Sequence, residues 1–328
     1  MRSVHLPLVK KLADQFEVVG FCARHIENAQ KIAAETGLGK GFTDVREMKK
    51  AHPDLDVVTV ATMPNTTHAP LAIEALEAGC HVFVDKPFAC SLKEAKDVFA
   101  VARKHNRRAV AFQNRRFETS FIAFRDVVEK GFVGKLKVFK NFVSCKSQSR
   151  SMLDLGAHII DQAICLTHGE TPLEVSAILQ NPEKNLTDEQ AMGYFKINLR
   201  YPNDLLVEIE QLPMGKHVNY FYVAGTKGGF QMDWADGISD LFYKQMDVQV
   251  DPPIPAHEFM PSSSELVPPE LFANWGREYH RSYAGLYKHL VDNASPPVSE
   301  RETLIQLAIM EYAIKSARTG KTLAFDLK

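Results

Sequence analysis

Apolar and polar positions along the first 115 residues alternate between a strand-like and a helix-like period. Glu17–Cys22 (EVVGFC) is a short β-rich run, and Glu27–Glu35 reads as a helix that ends near Gly37. Val57–Ala61 (VVTVA) is continuously apolar, as expected of a strand covered on both faces. Pro70–Ala78 follows with helical spacing, and Gly79 is placed to cap it. His81–Val84 is the next strand. Ser91-Leu92-Lys93-Glu94 is a capping box that opens a helix reaching about His105, and Ala109–Gln113 is a further strand. Strands alternating with helices through short loops predict an α/β unit with a parallel, doubly wound sheet. Such sheets bind ligands at the C-terminal ends of their strands.

Beyond residue 115 the pattern changes. A helix at Thr119–Lys130 precedes a strand at Leu136–Val143, and a helix is expected over Asp154–Leu166. Strand-like runs follow at Leu173–Leu179, Tyr194–Leu199, Leu205–Gln211 and Tyr220–Ala224, with Gly225-Thr226-Lys227-Gly228-Gly229 as a turn. Antiparallel pairing is the economical reading of runs joined by such turns. Helices at Arg277–Asp292 and Glu300–Thr319 close the chain, and Pro252–Pro269 reads as a proline- and serine-rich loop. The expectation is two domains: 1–115, α/β, and 116–328, an α+β domain on a mainly antiparallel sheet.

Composition narrows the function classes. With 328 residues and a net charge of −1, the chain can build two cores and has no basic excess for nucleic acid or an anionic membrane. No apolar run approaches the roughly 20 residues that span a bilayer, and the lysine-broken N-terminus does not read as a signal peptide. The five cysteines are scattered without a CxxC pair, so neither a disulfide framework nor a zinc site is suggested. A cytoplasmic location is expected.

Two groups of residues are candidates for chemistry. Lys86, in Val84-Asp85-Lys86-Pro87, lies at the C-terminal end of a buried strand, where its ammonium can donate a proton to a carbonyl oxygen or assist in removing one from an alcohol. A surface lysine at a strand end is the plainer alternative. Asp154, His158 and Asp161 are spaced by four and three, which places them on one face of a helix. A histidine between carboxylates suits proton transfer near neutral pH. Equally, Asp154 complements a helix N-terminus while His158 is a satisfied interface residue. Metal ligation has no further ligand cluster behind it, so no metal is expected. Thr62, Pro64, Asn65 and His68 form a polar loop after the Val57 strand that can border a ribose or nicotinamide, or simply cap a helix. Gln113 and Asn114 can face a cofactor after the last parallel strand, with Arg115 and Arg116 cofactor-facing or solvated.

Four of these segments, in order, resemble the Gfo/Idh/MocA family, named for glucose–fructose oxidoreductase, inositol dehydrogenase and a rhizopine catabolism protein. They are VTVATMPNTTHAPLAIEALEAGCHVFVDKPF, FQNRRF, LDLGAHIIDQA and FYVAGTKGGF, and the resemblance as a whole covers about residues 4 to 325. The resemblance implies an NAD(P)-binding Rossmann-like domain followed by a substrate and oligomerisation domain. It implies hydride transfer between nicotinamide and a sugar, polyol or related carbonyl compound, in a homo-oligomer such as a dimer or tetramer. Lys86 matches the motif lysine that would bond the reacting oxygen, His158 the acid/base, and Asp154 the residue that tunes it. Asp161 would be structural. Asp85, Lys86, Thr62, Pro64, Asn65, His68, Gln113 and Asn114 would border the cofactor. Arg24 falls where the adenosine ribose is read, and an arginine there leans toward NADP over NAD.

The sequence departs from the family in two places. No strand followed by G-x-G-x-x-G opens the chain; Gly37, Gly39 and Gly41 come too late. The segment between Val143 and Leu153, which lines the substrate pocket in such proteins, is short. Three readings follow: a shortened form of a full enzyme, which the retained Lys86, Asp154 and His158 favour; a non-catalytic sensor or scaffold; or a strand supplied by another chain.

Overall fold

The computed structural model describes residues 4–145, 151–181, 193–213, 220–233, 242–244 and 278–327. Pro252–Pro269 and residues 146–150 of the short segment after Val143 lie outside them. The chain divides into two compact units, residues 1–113 with 279–304, and 114–278 with 305–328. The sequence reading has one boundary between 115 and 116. In the structure the chain crosses back, because the penultimate helix packs with the N-terminal residues.

The first unit opens with α1 (His5–Lys10), followed by β1 (Gly20–Cys22), α2 (Ile26–Thr36), β2 (Lys40–Phe42) and α3 (Val45–Ala51). Then come β3 (Val57–Val60), α4 (His68–Glu77), β4 (His81–Asp85), α5 (Leu92–Lys104) and β5 (Ala109–Phe112). All pairing is parallel, but it forms two sheets: β1-β2, and β3-β4-β5. A doubly wound sheet would have a central strand between β1 and β3, and none stands there among the described residues. The burial record reflects this. β4 is buried through its middle, whereas Val57, Val58 and Thr59 of the equally apolar β3 are only half-buried.

Local rules explain the elements. Ser91 Oγ accepts from Glu94 N–H at 3.1 Å, and Glu94 Oε2 accepts from Cys90 N–H at 2.8 Å, which starts α5. Its buried face, Ala95, Val98, Phe99 and Ala102, has the spacing of one helical stripe. Gly37 closes α2 in the left-handed region (φ 66°). Gly39 is also left-handed (φ 58°), and a Cβ there would lie 2.6 Å from the Gly20 nitrogen. The late glycines thus shape the β1–β2 corner and do not form a phosphate turn.

The second unit contains α6 (Thr119–Glu129), β6 (Leu136–Cys145), α7 (Ala157–Leu166), β7 (Glu174–Leu179), β8 (Phe195–Arg200), β9 (Leu206–Pro213), β10 (Tyr220–Gly225), β11 (Gly229–Asp233) and β12 (Phe242–Lys244). The helix α8 (His280–Val291) belongs to the first unit; α9 (Glu300–Thr319) and β13 (Leu323–Ala324) end the chain. The sheet order is β12-β11-β10-β6-β9-β8-β7-β13, antiparallel except for β6 beside β9. Phe139, Ile197, Leu199, Val207 and Ile209 point to the buried face, which also holds Phe121, Phe124 and the apolar residues of α7. Lys140, Lys196, Glu208 and Arg200 alternate onto the other face. There Lys140 and Lys196 reach Glu208 at 3.1 and 2.8 Å, and Arg200 meets Glu174 at 2.8 Å. No helix of the described residues is long and apolar enough to cross a membrane.

Candidate active site

Parallel strands place their C-terminal ends together, and β4 ends at Asp85 with Lys86 immediately after. Asp85 fixes this corner with both oxygens. Its Oδ1 accepts the Lys86 backbone N–H at 2.8 Å, and its Oδ2 lies 3.2 Å from His5 Nε2. The His5 ring is almost fully buried, and its Nδ1 is 2.9 Å from the Tyr283 hydroxyl. Tyr283 in turn is 3.1 Å from Thr59 Oγ1. One polar chain therefore links β3, α8, α1 and the end of β4. Burial alone would raise the Asp85 carboxyl, but the bond and charge of His5, with the Lys86 N–H and ammonium, hold it below the usual carboxylate range. Burial pushes the Tyr283 phenol upward, so it stays protonated as a donor. Lys86 itself is half-buried.

The loop after β3 is anchored to the same corner. His68 is buried, with Nδ1 2.6 Å from the Pro87 carbonyl and Nε2 2.9 Å from the Thr62 carbonyl. Read from sequence as a cofactor contact, it bridges these two loops. Thr62 Oγ1 meets Thr67 Oγ1 at 2.6 Å, and Asn65 opens a single 3-10 turn after Pro64, whose carbonyl accepts from Thr67. Thr62 lines a cavity of about 650 Å³ together with Arg24, Thr43, Thr59, Thr66 and Glu74. Arg24 is exposed at this cavity. Gln113 is buried and Asn114 half-buried at the junction where the first unit ends.

In the second unit the sequence expectation of one α-helix from Asp154 changes. Residues Met152–Gly156 wind as a wider π-turn, opened by Ser151 Oγ accepting from Asp154 N–H at 3.2 Å, and α7 begins at Ala157. Such turns recur at functional positions. Asp154 is half-buried in this turn and His158 is buried in the first turn of α7. Asp161 does not join them as a third site carboxylate. It is gripped by Arg116, Nε to Oδ2 at 2.8 Å and Nη2 to Oδ1 at 2.7 Å, with both side chains buried. Arg116 is thus neither solvated nor cofactor-facing. The Gln306 amide donates to the Ala157 carbonyl at 2.6 Å and holds the start of α7. Sequence reasoning missed His5, Tyr283 and the Arg116–Asp161 pair. His5 and Tyr283 lie 278 positions apart, and no local pattern could have joined them.

A nicotinamide dinucleotide finds part of a cradle here. The 650 Å³ cavity lies at strand C-termini, with a guanidinium and several hydroxyls around it. These residues fit the adenosine end of the group, and Lys86 stands at the C-terminal end of the next strand. The described residues offer no glycine turn for a pyrophosphate; α1 is six residues long and has no side-chain cap. No group of three His, Cys, Asp or Glu side chains that could hold a metal occurs among the described residues.

Comparison with known proteins bears on the family and the fold. Residues 1–113 match the family model described as oxidoreductase family, NAD-binding Rossmann fold. Residues 144–325 match its companion, oxidoreductase family, C-terminal alpha/beta domain. The scyllo-inositol 2-dehydrogenase (NAD(+)) of Bacillus subtilis is 25% identical, with 92% of this chain and 86% of that protein covered. A crystal structure of a putative oxidoreductase from Klebsiella pneumoniae is 26% identical, with a TM-score of 0.75 over 100% of this chain and 93% of that one. The WlbA dehydrogenase from Bordetella pertussis, solved with NADH and UDP-GlcNAcA, shares the fold at a TM-score of 0.78 and 20% identity, covering 99% and 94% of the two chains. The chain belongs to the Gfo/Idh/MocA family of oxidoreductases, with an NAD-binding Rossmann domain followed by a C-terminal α/β domain.

Proposed function

We propose that the protein is an NAD(P)-dependent dehydrogenase or reductase acting on a CH–OH group of a sugar, polyol or related carbonyl compound. The observation that carries this reading is the corner after β4. A lysine there has its backbone held by a buried carboxylate, itself fixed by His5, at the end of a strand where ligands sit. When bound, the nicotinamide accepts or donates the hydride. Lys86 hydrogen-bonds the reacting oxygen and, as an ammonium, stabilises negative charge that develops on it. His158 takes or returns the hydroxyl proton. Asp154 sets the orientation of that site from the π-turn. Thr62, Pro64, Asn65, Asp85, Gln113 and Asn114 shape the nicotinamide side, and Arg24 the adenosine side, with a preference for the 2′-phosphate of NADP.

Inositol is oxidised by one relative, and a nucleotide-linked sugar acid is bound in the crystals of another. Polyols and sugar acids are therefore the first substrates to screen. Lys86→Ala should lower kcat/KM by about 10²–10⁴ while leaving the circular dichroism spectrum unchanged. A Lys86→Ala protein with full turnover overturns the assignment. Arg24→Asp should reduce the preference for NADPH over NADH by about tenfold, the size of one charge-assisted hydrogen bond.

A second reading, a ligand-binding scaffold without turnover, is favoured by one observation: the sheet is split between β1 and β3, beside the dinucleotide cavity. Steady NADP-linked oxidation of a polyol would sink it.

A further inference from the structure

The first turns of α7 carry more buried polar bonds than a helix needs. Inside an α-helix the backbone carbonyls are satisfied by the helix itself. Yet the Ala157 carbonyl also accepts from the Gln306 amide at 2.6 Å, and the Ile159 carbonyl accepts from the Asn141 amide at 3.3 Å. These two carbonyls belong to the residues on either side of His158. One turn further, Asp161 is held by both arms of the Arg116 fork at 2.8 and 2.7 Å. Beside it the Gln162 amide donates to the Arg115 carbonyl at 3.4 Å, and its oxygen accepts from Asn141 at 2.9 Å. Asn141, Asp161, Gln162 and Gln306 are each at most 2% exposed, so these are interior bonds and not surface ones. β6, α9 and the 3-10 turn Asn114–Phe117 thus grip the same short stretch of helix, and every grip falls within four residues of His158.

Stability does not account for this. A buried ion pair gives little net stability over an apolar pair of similar size. What a bidentate fork and amide bonds add is direction, because each fixes a distance and an angle. α7 needs such fixing, since it follows the π-turn Met152–Gly156, where the regular helical ladder is interrupted. We infer that Arg116, Asp161, Gln162 and Asn141 are positioning residues for His158, holding the start of α7 so that the imidazole keeps one place and orientation against the reacting hydroxyl. The effect on turnover rests on the dehydrogenase reading above; the effect on the imidazole does not. A catalytic group displaced by about 1 Å loses on the order of 10²-fold in rate. The four side chains are buried, so their loss acts on kcat through His158 and leaves KM in place.

The double variant Arg116→Met with Asp161→Leu separates position from stability, because it removes the pair and keeps the core filled. Urea unfolding, NAD(P)-linked turnover of polyols and sugar acids, and nitrogen-15 NMR of the histidine-labelled full chain are measured together, with His158→Gln identifying the His158 ring signals. The unfolding midpoint should lie close to wild type, kcat should fall about 10–100-fold with KM within about twofold, and the His158 signals should shift or broaden. Arg116→Lys keeps the charge but cannot make two parallel bonds, and Asn141→Leu loosens α7 from β6 without changing any charge. Both should lower kcat in the same way, and they carry the test if the double variant does not fold. Wild-type kcat in the double variant with recovered stability overturns the proposal, as does a loss expressed in KM alone. If the wild-type chain turns over no substrate, the dehydrogenase reading fails and the ring signals decide. Unchanged His158 signals in Arg116→Lys and Asn141→Leu then overturn the positioning role, and altered signals in both uphold it.

Discussion

Asp85 shows how one residue links stability to the site. Its carboxyl is held below its ordinary value of 3.8 by His5 and Lys86, so the folded state favours the ionised form. The stability it contributes is fully present above about pH 4 and is lost as pH falls through the lower folded value. Asp85→Asn should therefore lower the melting temperature at pH 7, with the difference from wild type shrinking below about pH 4; a pH series of thermal melts measures this. The Arg116–Asp161 pair makes a different prediction. Removing one partner breaks a buried bidentate ion pair, at a cost of about 3–5 kcal/mol, whereas Arg116→Met with Asp161→Leu should recover most of it. Urea unfolding of the two single variants and the double variant decides this. Lys86, Asp154 and His158 sit in short ordered motifs, which is what makes them the sequence's candidates for the site. Arg116 could not be placed correctly, since its partner is 45 positions away and only the fold joins them.

Elements with complete local signals were the most legible. The helix from Glu300 to Thr319 matches its expectation residue for residue, and its start is fixed by Ser299 and Glu302 capping one another at 2.8 and 3.2 Å. The Ser91 box places α5 in the same way. Ser91→Ala should destabilise the protein by about 1 kcal/mol, and Ser91→Asp by much less, as read from denaturant midpoints. Weak signals failed. β2 has three residues, two-residue β13 pairs at the sheet edge, and α3 has seven residues behind an Asp44 cap that accepts the Arg46 N–H at 2.6 Å. The turn before α7 failed for another reason. Spacings of four and three imply one face only if the helix is α throughout, and Met152–Gly156 is not. Gly156 belongs to that departure, because a Cβ there would lie 2.9 Å from Met152 Cγ.

At the scale of the molecule, a parallel α/β unit and a mainly antiparallel one could be read from the change in period near residue 115. The return of residues 279–304 to the first unit could not, because an amphipathic helix does not state which core it joins. Its Tyr283 connects that return to Thr59 and His5. Among the described residues the strands of the first unit form two sheets, β1-β2 and β3-β4-β5, which the alternation of strands and helices along the chain does not reveal. The resemblance to the family implies a homo-oligomer, and we propose the outer face of the large sheet, with its Lys140, Lys196 and Glu208 ladder, as its interface. Light scattering coupled to gel filtration should then give a dimer or tetramer of the 36.8 kDa chain. Glu208→Lys, which reverses the carboxylate shared by two lysines, should shift it toward monomer; an unchanged mass would remove this face from the account.

The central claim is that the first unit holds a nicotinamide dinucleotide at the Arg24, Thr62 and Lys86 edge. Titration with NADPH and then NADH, following nicotinamide fluorescence, tests it most directly. The account predicts saturable binding of both, tighter for NADPH, and weakened for NADPH by Arg24→Asp. No saturable binding of either dinucleotide, to a chain whose circular dichroism shows it folded, would contradict it.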